Sequence, residues 1–316
     1  MGEDVGMIDV DRPVLEGSVA VRGGRRLSFA EFGTRQGAAV IWMHGTPGAR
    51  RQVPLEARRH AAEHDLRIIG VDRPGIGTST PHVYENVLDW TGDLAALADH
   101  LGITTMRVVG LSGGGPYALA AGVGLPDRVH AVGVFGGVAP RIGPDGIGGG
   151  LTALVPFAAP VVSRTRVPLS YALAAGIRLV RPLAGLVIDS YAAVQPRGDR
   201  ELLGRPEFRA MFLDDLLNGA RFQVGGPLAD LLLFNRHWGF ELSDVDVPVM
   251  WWHGDCDHII PQRHGMHCVE RLPHATFVSL DGGAHLGGMD GTAEALRTLM
   301  DLGPRPAVEP RPATGI

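Results

Sequence analysis

Met106-Arg107-Val108-Val109-Gly110-Leu111-Ser112-Gly113-Gly114 runs from an apolar stretch into a serine set among glycines, and Gly115 to Ala121 behind it reads as a helix. A serine between glycines at a strand-to-helix turn fits the G-x-S-x-G nucleophile elbow. The turn is so tight that side chains on Gly110 and Gly114 would clash, and the hydroxyl is pushed out above the sheet. Ser112 is therefore the candidate nucleophile. The chain holds 45 glycines, so the pattern alone also fits a Gly-rich βα turn with an incidental serine, and the rest of the chain must decide.

Working outward, Val19–Arg22 and Arg25–Phe32 alternate apolar and polar around Gly23-Gly24, the signature of a β-hairpin. Ala38–Met43 and Leu66–Val71 are short, nearly continuous apolar runs expected as buried parallel strands, with a helix expected over 52–64 between them. Leu94, Leu97, Ala98 and Leu101 repeat at helical spacing before Gly102, and Val129–Phe135 is a further strand. Such alternation implies an α/β fold: a mostly parallel central sheet flanked by helices. From 136 to 244 the rhythm stops, and helices are expected over Leu169–Val180, Leu183–Tyr191, Glu207–Leu217 and Leu228–Phe234. The expected organisation is a core of residues 14–140 and 244–302, a helical cap inserted over 141–243, and flexible termini at 1–13 and 303–316. The sheet resumes at Val247–Trp252; a helix over Gln262–Leu272, a strand over Thr276–Leu280 and a helix over Thr292–Met300 follow.

Composition narrows the class. The 316 residues are 45% apolar and 20% charged, with a net charge of -5. That is a soluble globular balance with no basic stripe for nucleic acid. The two cysteines, Cys256 and Cys268, form no C-x-x-C pair, fitting a reducing compartment. The longest uncharged apolar stretch, 147–163, is short for a membrane span and interrupted by Pro156 and Pro160. With no targeting segment read at the acidic start, the expected location is cytoplasmic. No motif speaks to the oligomeric state.

A serine hydroxyl becomes a strong nucleophile when a histidine takes its proton and a carboxylate orients that histidine. On a sheet of this kind the chain order is Ser, Asp or Glu, His. Two late loops supply the partners. Trp252-His253-Gly254-Asp255-Cys256-Asp257 follows a strand, and Gly282-Gly283-Ala284-His285 follows the last strand. Asp257 is preferred to Asp255 because it lies further from the strand end, where the loop can turn toward His285. The oxyanion of a tetrahedral intermediate needs two N–H donors, expected from Gly113 and from Thr46 in His44-Gly45-Thr46-Pro47-Gly48. His253, His258, His264, His267 and Cys268 crowd one region, but read better as a polar helix face than as zinc ligands. Asp72-Arg73-Pro74-Gly75 lacks the lysine of a phosphate cradle. Phe157, Phe212, Phe222, Phe234 and Trp238 are expected to pack the cap.

The His44–Gly48 loop, Asp72–Ser79, Gly110–Gly114, the Asp255/Asp257 pair before Ile260-Pro261, and Ala284-His285 together resemble the α/β-hydrolase fold, in register from about 19 to about 300. The resemblance implies a Ser112–His285–Asp257 triad, an oxyanion hole at Thr46 and Gly113, no cofactor or metal, and an esterase- or lipase-like activity on a small hydrophobic ester. Trp238-Gly239-Phe240 is similar to a group of such members. His44-Gly45-x-Pro47-Gly48 also resembles prolyl iminopeptidases, which carry a tryptophan after the nucleophile where this chain has Gly113. Lactonase, thioesterase and cofactor-free perhydrolase chemistry use the same constellation, and a ligand-sensing protein with little turnover is the non-enzymatic alternative. Aspartate-nucleophile epoxide hydrolases and haloalkane dehalogenases do not match Ser112.

Overall fold

The computed structural model describes residues 11–149 and 155–303. Most of the expected flexible ends therefore lies outside the described residues. Eight strands form one sheet: β1 (Leu15–Val21), β2 (Arg25–Gly33), β3 (Ala38–Met43), β4 (Leu66–Val71), β5 (Met106–Leu111), β6 (Val129–Phe135), β7 (Val249–Gly254) and β8 (Ala275–Leu280). Their order across the sheet is β1-β2-β4-β3-β5-β6-β7-β8. Strand β2 runs antiparallel to both β1 and β4, and every other pairing is parallel.

The continuous apolar runs follow from burial on both faces. In β3, Ile41 and Met43 join one core and Val40 and Trp42 the other; in β7, Val249 and Trp251 oppose Met250 and Trp252. Helices α1 (Leu55–Glu63) and α10 (Thr292–Asp301) cover one face; α2 (Trp90–His100), α3 (Gly115–Gly124) and α9 (Arg263–Val269) cover the other. Each fully buried aliphatic side chain contributes about 1.5–3 kcal/mol, so the two cores hold the sheet rigid beneath whatever its loops carry. Because β3, β5, β7 and β8 are parallel, the loops that follow them emerge at one edge, where open α/β sheets bind ligands.

Between β6 and β7 lie α4 (Val155–Val180), α5 (Ala184–Ala193), α6 (Arg197–Gly204), α7 (Pro206–Gly219) and α8 (Gly225–Leu233). Helix α4 differs from expectation: it continues through Pro160 and Pro168 instead of beginning at Leu169. A proline inside a helix costs about 3 kcal/mol, and here the seam of Ala159 and Val162 against Leu232 of α8 holds the first turns in place. Helix α6 was not expected, its apolar contribution being the Leu202-Leu203 pair alone. Strand β7 starts two residues later than expected, since Pro248 offers only its carbonyl, which accepts the Val132 N–H. Among the described residues no single helix is long and apolar enough to cross a membrane; one pair, Ala159–Leu179 with Arg181–Ala193, bent by 57°, passes by length and composition.

Candidate active site

Strand β5 delivers Ser112 into a left-handed conformation, φ 52°, unusual for a residue with a side chain. Such a conformation costs of order 1–3 kcal/mol and persists only where its surroundings dictate it. Close packing does so here. A Cβ on Gly110 would lie 2.5 Å from the Gly114 carbonyl, and one on Gly114 would lie 2.2 Å from the Met43 carbonyl. The glycines are thus required by approach of the backbone on both sides of the elbow, and the serine is left 7% exposed.

Two later loops meet it there. His285 Nε2 lies 2.9 Å from Ser112 Oγ, and His285 Nδ1 lies 2.8 Å from Asp257 Oδ2. Since the carboxylate can only accept, the proton sits on Nδ1 and Nε2 is free to accept from the serine. Asp257 Oδ1 accepts the N–H groups of Ile259 and Ile260 at 2.9 and 2.8 Å. Burial alone would raise the Asp257 carboxyl. Hydrogen bonds from His253 and His285, the imidazole charge and the Ile260 amide hold it well below the usual carboxylate range. Asp255 is exposed and its side chain takes no part. His253, fully buried, stands behind Asp257: its Nε2–H is shared between the Ile260 carbonyl at 2.8 Å and Asp257 Oδ2 at 3.4 Å, while Trp251 donates to Nδ1.

The His44–Gly48 loop lies against the nucleophile. A Cβ on Gly45 would lie 3.6 Å from Ser112 Cβ, and one on Gly113 only 2.3 Å from Thr46 Oγ1. Among the described residues the Thr46 N–H meets no acceptor. One guanidinium holds the loop: Arg73 donates to the carbonyls of His44 and Gly45 and to Thr46 Oγ1. Its Nη2 also pairs with Asp230 Oδ2 at 2.7 Å. Asp230, on α8, accepts from Thr46 Oγ1 at 2.6 Å and from the Tyr117 hydroxyl at 2.7 Å. Burial and then the Asp230 charge push the Tyr117 phenol well up, so it stays a donor. His44 is neutral: burial and the neighbouring Arg73 lower it, its Nδ1 donates to the Gly45 carbonyl and its Nε2 accepts the Arg73 N–H.

A second carboxylate reaches the site from the helices. Asp199 of α6 accepts the Leu286 N–H at 2.9 Å, immediately after His285. Sequence reasoning assigned no role to Arg73, Asp230, Asp199 or His253. Arg73 lies in the Asp72–Ser79 motif and His253 four residues before Asp257, whereas the two aspartates carry no local signal. Among the described residues no group of three His, Cys, Asp or Glu side chains is arranged to hold a metal ion. His264 is fully buried, and desolvation with the Arg263 charge lowers it to about 4. The aromatics divide. Phe234 packs on Tyr117 and faces Gly113; Trp238 belongs to the main core; Phe157 and Phe222 are exposed instead of packing inward.

No family model matches the chain. Sequence relatives include a proline iminopeptidase of Xanthomonas citri, 33% identical over 34% of this chain and 35% of that protein. Another is a 2-hydroxy-6-oxo-2,4-heptadienoate hydrolase of Pseudomonas putida, 32% identical over 39% of this chain and 45% of that protein. The chain spans less than half the length of the curated relatives it matches. Solved structures match over nearly the whole chain. An esterase from Rhodococcus aligns at TM-score 0.67 and 21% identity, covering 91% of this chain and 99% of that one. The values for a bromoperoxidase from Bacillus anthracis are 0.66, 21%, 91% and 100%, and for an enol-lactonase from Burkholderia xenovorans 0.64, 20%, 90% and 99%. Sheet order, elbow and near-complete overlap with these structures agree on one architecture: this chain has the α/β-hydrolase fold.

Proposed function

We propose that the protein is a serine hydrolase that cleaves a carboxylic ester, or a related acyl bond, of a small hydrophobic substrate. The observation that carries the reading is the unbroken relay from Asp257 through His285 to Ser112, with contacts of 2.8 and 2.9 Å. In this reading the Ser112 proton passes to His285 Nε2 as Oγ attacks the carbonyl carbon. Asp257 stabilises the imidazolium, and the N–H groups of Thr46 and Gly113 receive the oxyanion. Collapse breaks the bond to the alcohol, which leaves with the proton from Nε2. Water then gives a proton to His285 and attacks the acyl-enzyme, releasing the acid and the free serine. No cofactor enters this cycle.

The helical segment 141–243 would serve as the cap over this edge of the sheet, with Phe234 against the acyl position. Cys256 and Cys268 are free, as suits a reducing compartment such as the cytoplasm.

A peptidase reading draws support from the proline iminopeptidase relatives. Gly113 weighs against it, because the tryptophan those enzymes carry after the nucleophile has no room beside Thr46 Oγ1. A panel of p-nitrophenyl esters of graded chain length, run beside proline and other amino-acid anilides, separates the two. Ester turnover with inert anilides is expected; anilide turnover without ester turnover would reverse the assignment.

A further inference from the structure

Helix α4 is amphipathic in the wrong sense for a soluble protein. Among its described residues, Ala159, Val162, Ser170 and Ala174 are buried and form a narrow seam. The opposite face, at spacings of three and four, reads Phe157, Val161, Arg164, Pro168, Tyr171, Ala175 and Leu179, all exposed. That stripe is about 33 Å long at 1.5 Å per residue, and Phe157 and Leu179 at its ends are 80% and 81% exposed. Apolar exposure continues past the bend with Leu183, Leu186, Val187 and Val194. An exposed, largely apolar stripe of this extent marks a docking face.

Charge selects the occupant. The chain as a whole carries -5, yet between Asp145 and Asp189 there is no acidic residue and there are four arginines, Arg164, Arg166, Arg178 and Arg181. Arg164 and Arg178 donate to backbone carbonyls of Pro160 and Arg221. Among the described residues none of the four pairs with a carboxylate, whereas twelve arginines elsewhere do. Arg164 stands in the exposed stripe and Arg166, Arg178 and Arg181 flank it, so two copies joined through this face would gather cations with no carboxylate to meet them. An apolar stripe flanked by arginines instead matches a bilayer whose headgroups are anionic: the apolar chains enter the acyl boundary and the guanidinium groups meet the phosphates.

We propose that the outer face of α4, continued by the start of α5, docks the protein on an anionic lipid surface. Two small crevices lie behind this face. A crevice of about 100 Å³ opens between Val167 and Tyr171 of α4 and the Pro74-Gly75 turn. A smaller one sharing Pro74, His82, Val83 and Ala229 with it reaches Tyr117 and Asp230, which hold the Thr46 loop. Resting on the hydrolase reading, docking by this face also names the substrate class: an amphiphilic ester presented at the lipid surface.

The test is sedimentation of the full chain with phosphatidylcholine vesicles made with or without phosphatidylglycerol. Binding is expected to be tenfold or more stronger with phosphatidylglycerol, on the order of what a few surface arginines supply, and to weaken with salt. The double variant Val161→Glu/Leu179→Glu should lose that binding while keeping its melting temperature and its turnover of a water-soluble acetate ester. Ser112→Ala should bind as the wild type does, which separates docking from turnover; wild type that binds vesicles yet turns over no ester would sink the hydrolase reading and leave the docking intact. Failure to bind phosphatidylglycerol vesicles, equal binding to both vesicle types, or undiminished binding by the double variant overturns the proposal. So does a dimer in solution that the double variant dissolves while vesicles stay unbound.

Discussion

The sheet and the helices inserted between β6 and β7 hold the same site by different means. Strands β3 to β7 are almost wholly buried on both faces, and the loops at their ends inherit that rigidity. Helix α4 rests on a narrow seam and turns apolar residues outward. The inserted helices nevertheless reach the site through two buried carboxylates, Asp230 beside the Thr46 loop and Asp199 beside the His285 loop. The sheet thus sets where Ser112, Asp257 and His285 stand. The helices set whether two of the loops stay in place, so local loosening of the helices should reach catalysis through those carboxylates.

The largest effect belongs to the sheet side. Ser112→Ala should lower ester kcat/KM by about 10³-fold or more, with the melting temperature nearly unchanged because the methyl occupies the same buried elbow. On the helix side, Asp230→Asn leaves the Arg73 guanidinium buried without a counter-charge, a change that costs about 3–5 kcal/mol in comparable sites. In the protein that remains folded, kcat should fall by about 10- to 100-fold, bounded by the loss of a whole oxyanion donor, with KM changed less. A variant of normal kcat would show that Asp230 supports packing alone. Asp199→Ala should be milder: it strands the Leu286 N–H at a cost of about 1–3 kcal/mol, and a few-fold loss in turnover is expected.

The same contrast appears in the response to pH. Asp257 is held below its ordinary range, so its contribution to stability is present above about pH 4 and is lost as pH falls further. Asp215, on α7, goes the other way. Burial and then the Asp72 charge push it up to about 7, against the Ala49 and Arg51 amide bonds that oppose the rise. Between the unfolded value near 4 and that value the folded state holds the proton more firmly, so stability falls as pH rises through this window and levels off above it. The melting temperature of wild type minus that of Asp215→Asn should therefore decline from pH 4 to pH 7. A flat difference would mean that the amide bonds outweigh burial.

What was legible in the sequence follows the same division. Strand runs of period two or of continuous apolar character, and the small-residue loops behind them, are local patterns. Ser112, Asp257 and His285 could be named because each sits just past a strand end, and the parallel sheet brings such ends together. The supports were not legible because their partners are remote. Arg73 meets Asp230 across 157 positions and Leu286 meets Asp199 across 87, and neither aspartate differs locally from a solvated helix carboxylate. Helix α4 was shortened in the sequence reading because Pro160 and Pro168 are local breakers, whereas the seam against α8 that overrides them is a tertiary contact. The peptidase-like His44–Gly48 motif was visible, and so was Gly113. Its reason, the 2.3 Å approach to Thr46, needed coordinates.

The most direct measurement is labelling with a fluorophosphonate probe followed by peptide mapping. An activated serine should give a single adduct at Ser112 within minutes, absent in Ser112→Ala and strongly slowed in His285→Gln. No adduct, or one formed equally fast without the imidazole, would mean that the relay from Asp257 to Ser112 does not activate the hydroxyl and that the fold here serves ligand binding instead.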